Sequence, residues 1–280
     1  MKCFKKGPKM LNFIFKKKTN LNLNIVSIFR NNENYLYNHY LPNIELLEKK
    51  SNDIKLFFYT NGNHDNTTSI LADFCKNRKN AFLKTSEKKS ELFARDTSFK
   101  RVQNIVDARN QLLKLRPFTN EYTIIIDSDI YFDVHVLERL VKKIDPNYSA
   151  LFANGIDQNY LIETKKIHYY DVLAFIDMFN NYGYERFIEN GHSENPFFEL
   201  NDKISWKKGE ITPVKSAFGG MGIYRSEILN KFVKYECIKT TKLMKNKQKI
   251  YTEHWSLNFY ARQFGTLGID PMAKVYHHSF

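Results

Sequence analysis

Two carboxylates one residue apart, Asp127 and Asp129, follow directly on the apolar run Tyr122-Thr123-Ile124-Ile125-Ile126. Carboxylate oxygens at this spacing suit a hard dication, Mg2+ or Mn2+, and such ions commonly share their coordination sphere with phosphate oxygens. The consecutive β-branched residues favour a strand covered on both faces, as in the parallel sheet of an α/β protein. Asp127-Ser128-Asp129 would then leave the sheet at the edge where α/β folds place their ligands. A solvated turn after a strand is the other reading of so common a triplet.

Other residues break their local pattern. On a helix of about Arg101 to Leu115, Val102, Ile105, Val106, Leu112 and Leu113 form one stripe, and Arg109 falls in the middle of it. A guanidinium facing a core needs a partner, because an unpaired buried charge is very costly. That partner is either an internal carboxylate such as Asp127 or a bound phosphate or ribose. Further on, Gly219-Gly220-Met221-Gly222 either lets the backbone approach a ligand closely before Ser226 starts a helix, or forms a structural turn. Thr252 can cap a helix with Leu257, Tyr260, Ala261 and Phe264 on its apolar face and Gly265 after its end. Glu253 and His254 then sit in the first turn, where Glu253 either offsets the helix dipole or acts as a general base. His277 and His278 are tail residues or nitrogen donors to a metal.

The elements that must position these groups alternate between strand and helix. Leu21 to Phe29 reads as a first strand, and the polar Arg30-Asn31-Asn32-Glu33 segment opens a helix through Leu47. Ile54 to Tyr59 reads as a second strand closed by Asn61-Gly62-Asn63, followed by a helix near Ser69 to Lys76 and a short strand around Phe82. Asp133 can cap a helix with Leu137, Leu140, Val141 and Ile144 on one face, ended by Asp145-Pro146-Asn147. Ala150 to Asn154 reads as a further strand. The pattern predicts an α/β fold with a mostly parallel central sheet and right-handed crossovers. Neither Gly-x-Gly-x-x-Gly nor a Walker sequence follows the first strand, which removes the main support for dinucleotide and P-loop readings. The aromatic-rich stretch from Tyr160 to Phe198 has no clear period; Tyr169, Tyr170, Tyr182, Tyr184 and Trp206 are core residues or stacking surfaces for a sugar acceptor.

At 280 residues with 42% hydrophobic side chains, the chain has ample material for a core. Its formal charge of +13 is compatible with nucleic acid, a membrane surface or anionic substrates as partners. The lysines are dispersed, with clusters at Lys16 to Lys18 and from Lys239 to Lys249, and a solvated surface accounts for them equally well. No zinc finger, recognition-helix signature or RNA-binding aromatic motif accompanies the charge, so a nucleic-acid partner is not expected. Cys3, Cys75 and Cys237 match neither a disulfide framework nor a zinc site. That usage suggests a reducing, cytoplasmic setting. Leu11 to Phe15 is far too short to span a membrane and lacks a cleavage site. Residues 1–20 read as a basic tail, either flexible or touching an anionic membrane surface.

Taken in order, the polar exit at Ile25 to Asn32, the Asp107-Ala108-Arg109-Asn110 helix, Asp127-Ser128-Asp129, Gly219-Gly220-Met221-Gly222, Glu253-His254 and a late histidine resemble a metal-dependent glycosyltransferase of the GT-A fold. The resemblance covers residues 21–280. It is strongest to groups with an Arg-Asn helix before the aspartate motif, such as fungal Golgi and capsule-associated mannosyltransferases. It implies one Rossmann-like domain, with a nucleotide-sugar half over about residues 21–145 and an acceptor half over about 146–280. It implies a nucleoside diphosphate sugar donor, a glycan or glycoconjugate acceptor, and Mn2+ or Mg2+ held by Asp127, Asp129 and His277, with His278 as competitor. Arg109, Asn110, Ser128, Gly219 and Gly220 would border the donor. Glu253 and His254 occupy the catalytic position, where many relatives carry Glu-Asp. If the enzyme inverts, Glu253 is the base; if it retains, the departing diphosphate assists the acceptor. Haloacid dehalogenase-like phosphatases also use Asp-x-Asp, but after their first strand and with Thr or Val where this chain has Tyr131.

Overall fold

A computed structural model describes residues 21–86, 99–164, 169–180, 183, 209–244 and 247–277 of the chain. The readings of residues 1–20, Tyr182, Tyr184, Trp206 and His278 lie outside the described residues. The first half builds as its pattern predicts. Strands β1 (Asn22–Phe29), β2 (Asp53–Asn61) and β3 (Ala81–Ser86) pair in parallel, with the Thr67–Cys75 helix between β2 and β3. Between β1 and β2 the chain is helical from Glu33 to Lys50, with a π turn at Leu36–Tyr40. Pro42 follows that turn and has no N–H to offer the carbonyl of Asn38, so the ladder widens there.

The Phe99–Leu113 helix then carries the chain back across the sheet to β4 (Tyr122–Ile126), which pairs in parallel with the other side of β1. The order β3-β2-β1-β4 therefore reverses direction between β1 and β4. A crevice opens outside the carboxyl ends of strands at such a reversal. Ile124 and Ile126 pack into one core layer and Ile125 into the other, all fully buried. Burial of each is worth roughly 1.5–3 kcal/mol, so the strand that delivers the two aspartates is firmly anchored.

Beyond β4, β5 (Ile130–Tyr131) is a two-residue strand, and the Val134–Lys143 helix, whose first turn is capped by Asp133 accepting from the His135 N–H at 2.8 Å, leads to β6 (Tyr148–Asp157). The Gln158–Thr164 helix follows, then β7 (Ile176–Asp177), β8 (Thr212–Ser216) and β9 (Met221–Arg225). Strands β10 (Ile238–Met244) and β11 (Lys247–Tyr251) form a separate antiparallel pair; the His254–Ala261 helix and β12 (Thr266–His277) complete the described chain. The main sheet runs β3-β2-β1-β4-β9-β6-β12-β8-β7, with β5 added to the end of β12.

The α/β class and the parallel nucleotide-side strands match the expectation, but two features depart from it. Met221–Arg225 is not loop: it is an antiparallel strand wedged between β4 and β6 at the centre of the sheet, and the helix expected from Ser226 follows it, Ser226–Lys231. The residues before His277 are not a tail: Thr266–His277 is a long strand pairing in parallel with β6. Their glycine, proline and lysine content hid both strands from a periodicity reading, and tertiary burial overrides that local weakness. The final helix buries Leu257 and Ala261 of its expected apolar face, with Tyr260 packed against the core, but it also turns a polar residue inward. Asn258 is buried in it, bonding the Tyr224 hydroxyl, Ser216 and the Ala217 carbonyl at 2.8–2.9 Å, whereas Phe264 lies exposed beyond its end.

Candidate active site

Arg109 is the hub of the site. It is 3% exposed, because its place on the Phe99–Leu113 helix turns it toward the core below the crevice. Its Nε donates to Glu253 Oε1 and its Nη2 to Asp127 Oδ1, both at 2.8 Å, and Nη2 lies 2.9 Å from His254 Nε2. The guanidinium also faces the rings of Phe218 and Tyr235, at 5.4 and 5.9 Å from their centroids. Burial alone would depress the arginine's pKa, but Glu253 and Asp127 outweigh it and hold the charge firmly on. Of the two partners anticipated for Arg109, the internal carboxylate is present, and Glu253 is a second. Its remaining nitrogen, Nη1, is buried with no hydrogen-bond partner among the described residues.

His254 is stacked on Phe218, ring centroids 3.6 Å apart. Burial first, and then Arg109, push its pKa well below the ordinary imidazole value. The neutral ring must present the Nε2 lone pair to the guanidinium, which puts its proton on Nδ1. A ring so committed does not accept a proton from a substrate at Nε2. Glu253 is likewise engaged, and it does not lie in the first helical turn: the helix begins at His254, and the Thr252 hydroxyl makes no capping bond.

The aspartate triplet is held from both sides. The Asp127 N–H donates to the Gly220 carbonyl at 2.8 Å, and Ser128 Oγ donates to Asn32 Oδ1 at 2.9 Å, tying the triplet to the exit of β1. Burial, with Asp129 and Glu253 adding to it, raises the Asp127 carboxyl against the opposing pull of Arg109. Gly219 and Gly220 carry φ of 65° and 82°. A Cβ on Gly220 would stand 2.6 Å from Ile130 Cγ2, so the pair is there for close packing as well as for its left-handed turn.

Asp129, 40% exposed at its side chain, lies with Oδ2 3.3 Å from His277 Nε2. This meeting depends on a bulge in β12. Asp270 opposes Ala153 but Lys274 opposes Asn154, so Pro271, Met272 and Ala273 are extra residues on β12. In an unbroken register Lys274 would oppose Asp157; the bulge puts His277 there, and beside Ile130 of β5. Asp270, fully buried, anchors the bulge through two bonds from Arg139 at 2.7 and 3.0 Å. Tyr170 stacks on the His277 ring at 3.8 Å. The three-residue metal set of Asp127, Asp129 and His277 is not assembled as such: no group of three or more His, Cys, Asp or Glu side chains suited to a metal occurs among the described residues. Asp129 and His277 are together, while Asp127 turns to Arg109.

Asn110 is tied to the backbone of Tyr235. Its amide donates to the Tyr235 carbonyl at 3.0 Å and accepts from the Tyr235 N–H at 2.8 Å, a clamp that positions the aromatic wall of the site.

At the β1–β4 crevice a cavity of about 290 Å³ opens, lined by Arg30, Asn32, Arg101, Asn104, Ser128 and Asp129 among others. Arg101 and Asn104 precede Arg109 on the same helix, and with Ala108 they form a stripe at helical spacing beside the apolar one. Its polar residues at helical spacing are the sequence signal for this wall of the cavity. Asp171 was not legible. It lies in the segment that crosses the end of β6, where Tyr169 bridges Ile156 and the Tyr170 N–H donates to the Gly155 carbonyl at 2.9 Å. The Ala174 N–H donates to the Asp171 backbone carbonyl at 3.3 Å. Burial, then the nearby charges of Asp127 and Glu253, push the Asp171 carboxyl up to about 7.

No family model matches the chain, and no curated protein matches it. Solved structures do. One is the mannosyltransferase PcManGT from Pyrobaculum calidifontis in complex with GDP-Man and Mn2+, with TM-score 0.48 and 12% identity over 92% of this chain and 57% of that chain. Another is S. aureus TarS 1-349 in complex with UDP, with TM-score 0.46 and 12% identity over 91% of this chain and 60% of that chain. The chain spans less than two thirds of the length of either.

Proposed function

We propose that the chain transfers a hexosyl group from a nucleoside diphosphate sugar to a glycan or glycoconjugate acceptor, with a divalent cation at the diphosphate. The observation that carries this reading is the Asp129–His277 pair, 3.3 Å apart, at the mouth of the crevice where the sheet reverses. An oxygen and a nitrogen donor at that point fit Mn2+ or Mg2+ as a partial site, completed by diphosphate oxygens and water rather than by a protein cage. Such an ion, when bound, offsets the charge that develops on the departing diphosphate.

The chain's own residues account for the rest. The cavity lined by Arg30, Arg101 and Asn104 offers two cations and an amide to a nucleotide. Arg109 holds Asp127 and Glu253 in place and keeps a buried donor in reserve at Nη1. Gly219 and Gly220 bring backbone, without side chains, to the border between donor and acceptor.

A thermal-shift series tests the reading: UDP, GDP, UDP-glucose and GDP-mannose, each with and without Mn2+. Saturation at 100-fold over Kd stabilises a folded chain by about 2.7 kcal/mol, which a melting curve resolves. Stabilisation by at least one nucleotide that requires Mn2+ is expected. Indifference to all of them in both conditions would sink the proposal.

A further inference from the structure

In the reading above, His277 supplies the nitrogen of the metal pair. It stands at the end of β12, opposite Asp157 of β6 and Ile130 of β5, and its Nε2 lies 3.3 Å from Asp129 Oδ2. A histidine side chain has two torsions, and the second has only broad preferences. Strand pairing therefore fixes where the side chain leaves the backbone and not where its nitrogen points.

The plane of the ring is set by another segment. Tyr170 lies against it with ring centroids 3.8 Å apart and planes inclined by 14°, a parallel stack. Tyr170 is itself anchored, since its N–H donates to the Gly155 carbonyl at 2.9 Å. Its neighbour Tyr169 is buried, bridges Ile156 and meets the ring of Phe175 edge-on at 6.0 Å. Val172, Ala174 and Phe175 are buried further along the same segment. Gly155 and Ile156 of β6 pair with Val275 and Tyr276 of β12, so the segment is fastened directly beside the residues that lead to His277. The bulge in β12 that brings His277 to Asp129 thus also places it against Tyr170.

From this arrangement we infer that Tyr170 is a positioning residue for the metal: its ring holds the His277 imidazole in the plane from which Nε2 meets a cation shared with Asp129. The inference rests on the donor reading above and adds to it a residue that acts through His277. A stack occupies the face of an imidazole, whereas a cation is bound by a nitrogen lone pair in the ring plane. The two contacts therefore do not compete. With one nitrogen and one carboxylate from the protein, the site depends on both being aimed before the ion arrives, because ordering a loose group on binding subtracts from affinity. Removing a partner that orients a ligating histidine lowers metal affinity about 10–100-fold. The role requires the flat ring of Tyr170 and not its hydroxyl.

The test is Mn2+ binding with saturating UDP or GDP, read as loss of the free-Mn2+ electron paramagnetic resonance signal. The chains compared are wild type, Tyr170→Phe, Tyr170→Leu, His277→Ala and Tyr170→Leu/His277→Ala. Tyr170→Phe keeps the flat ring and should bind within about threefold of wild type, whereas Tyr170→Leu keeps an apolar side chain without the flat face and should bind at least about tenfold more weakly. In the His277→Ala background the leucine should have no further effect, because nothing is left for residue 170 to position. Tyr170→Leu binding as wild type does, Tyr170→Phe binding as weakly as Tyr170→Leu, or an equal loss in both backgrounds would each overturn the inference while leaving the donor reading standing. A second measurement needs no leucine variant. The His277 ring protons, assigned by their absence in His277→Ala, should be shifted upfield by the stacked ring in metal-free wild type and in Tyr170→Phe, and unshifted resonances would overturn the inference equally. If the wild-type chain binds no Mn2+ with either nucleotide, the donor reading falls and this inference falls with it.

Discussion

Replacing Arg109 by methionine removes the cation that Asp127 and Glu253 share and leaves both carboxylates where they are. Glu253 is 7% and Asp127 21% exposed at the side chain, so neither is rehydrated without movement. Removing one partner of a buried ion pair costs about 3–5 kcal/mol. For a chain of this length that corresponds to a fall in Tm of about 6–10 °C. The sign with pH follows from the carboxylates. The Asp127 carboxyl is already raised by burial against the pull of Arg109, and without the arginine it rises further. A carboxyl raised above its unfolded value adds stability at low pH that is lost as pH climbs through the folded pKa. The deficit of Arg109→Met should therefore be smallest near pH 5 and largest near pH 8. Urea unfolding of both chains at pH 5, 7 and 8 measures it, with Lys231→Met as control, because the Lys231–Glu227 pair is long at 3.9 Å and largely exposed and worth at most about 0.5 kcal/mol. A loss at pH 8 below about 1 kcal/mol, or one that does not change with pH, would refute the reading of Arg109 as the charge hub.

Three other substitutions separate scaffold from ligand contact. His277→Ala should weaken the Mn2+ dependence of nucleotide stabilisation at least about tenfold in midpoint while leaving metal-free Tm within about 2 °C; Mn2+ titration by thermal shift shows whether it does. Asn110→Ala strips both bonds from the Tyr235 backbone and should cost about 1–3 kcal/mol in urea unfolding, with nucleotide Kd changed less than about threefold, and a large loss of affinity in a fully folded variant would contradict the clamp role. Gly220→Ala sets a Cβ 2.6 Å from Ile130 Cγ2 at φ of 82° and should cost about 1–3 kcal/mol, and Gly220→Ala/Ile130→Ala, which removes Cγ2, should lose less than the sum of the two single variants, where denaturation of all three reads the coupling.

Much of the first half was legible because its signals are local. The β-branched run of β4, the Asp133 cap and the apolar stripe around Arg109 depend on neighbours within a turn or a strand. The misfit of Arg109 was legible for the same reason: a charge on an apolar stripe violates a rule that operates within one helix. The second half resisted because its strands are defined by what covers them. Met221–Arg225 contains glycine and arginine yet lies between β4 and β6. Asn110, beside Arg109 in sequence, turns its amide to the backbone of Tyr235, a partner 125 positions away.

The sequence by itself determined which groups are present and where the carboxylates leave the sheet, since strand, cap and helix preferences act over short range. Which groups meet was decided by tertiary structure alone. Asp127 and Glu253 are 126 positions apart in the chain yet share one guanidinium. Asp129 meets His277 because a bulge anchored by Arg139 and Asp270 shifts the register of β12. Register, bulges and the burial of unlike segments against one another are long-range choices, and no window of the chain contains them.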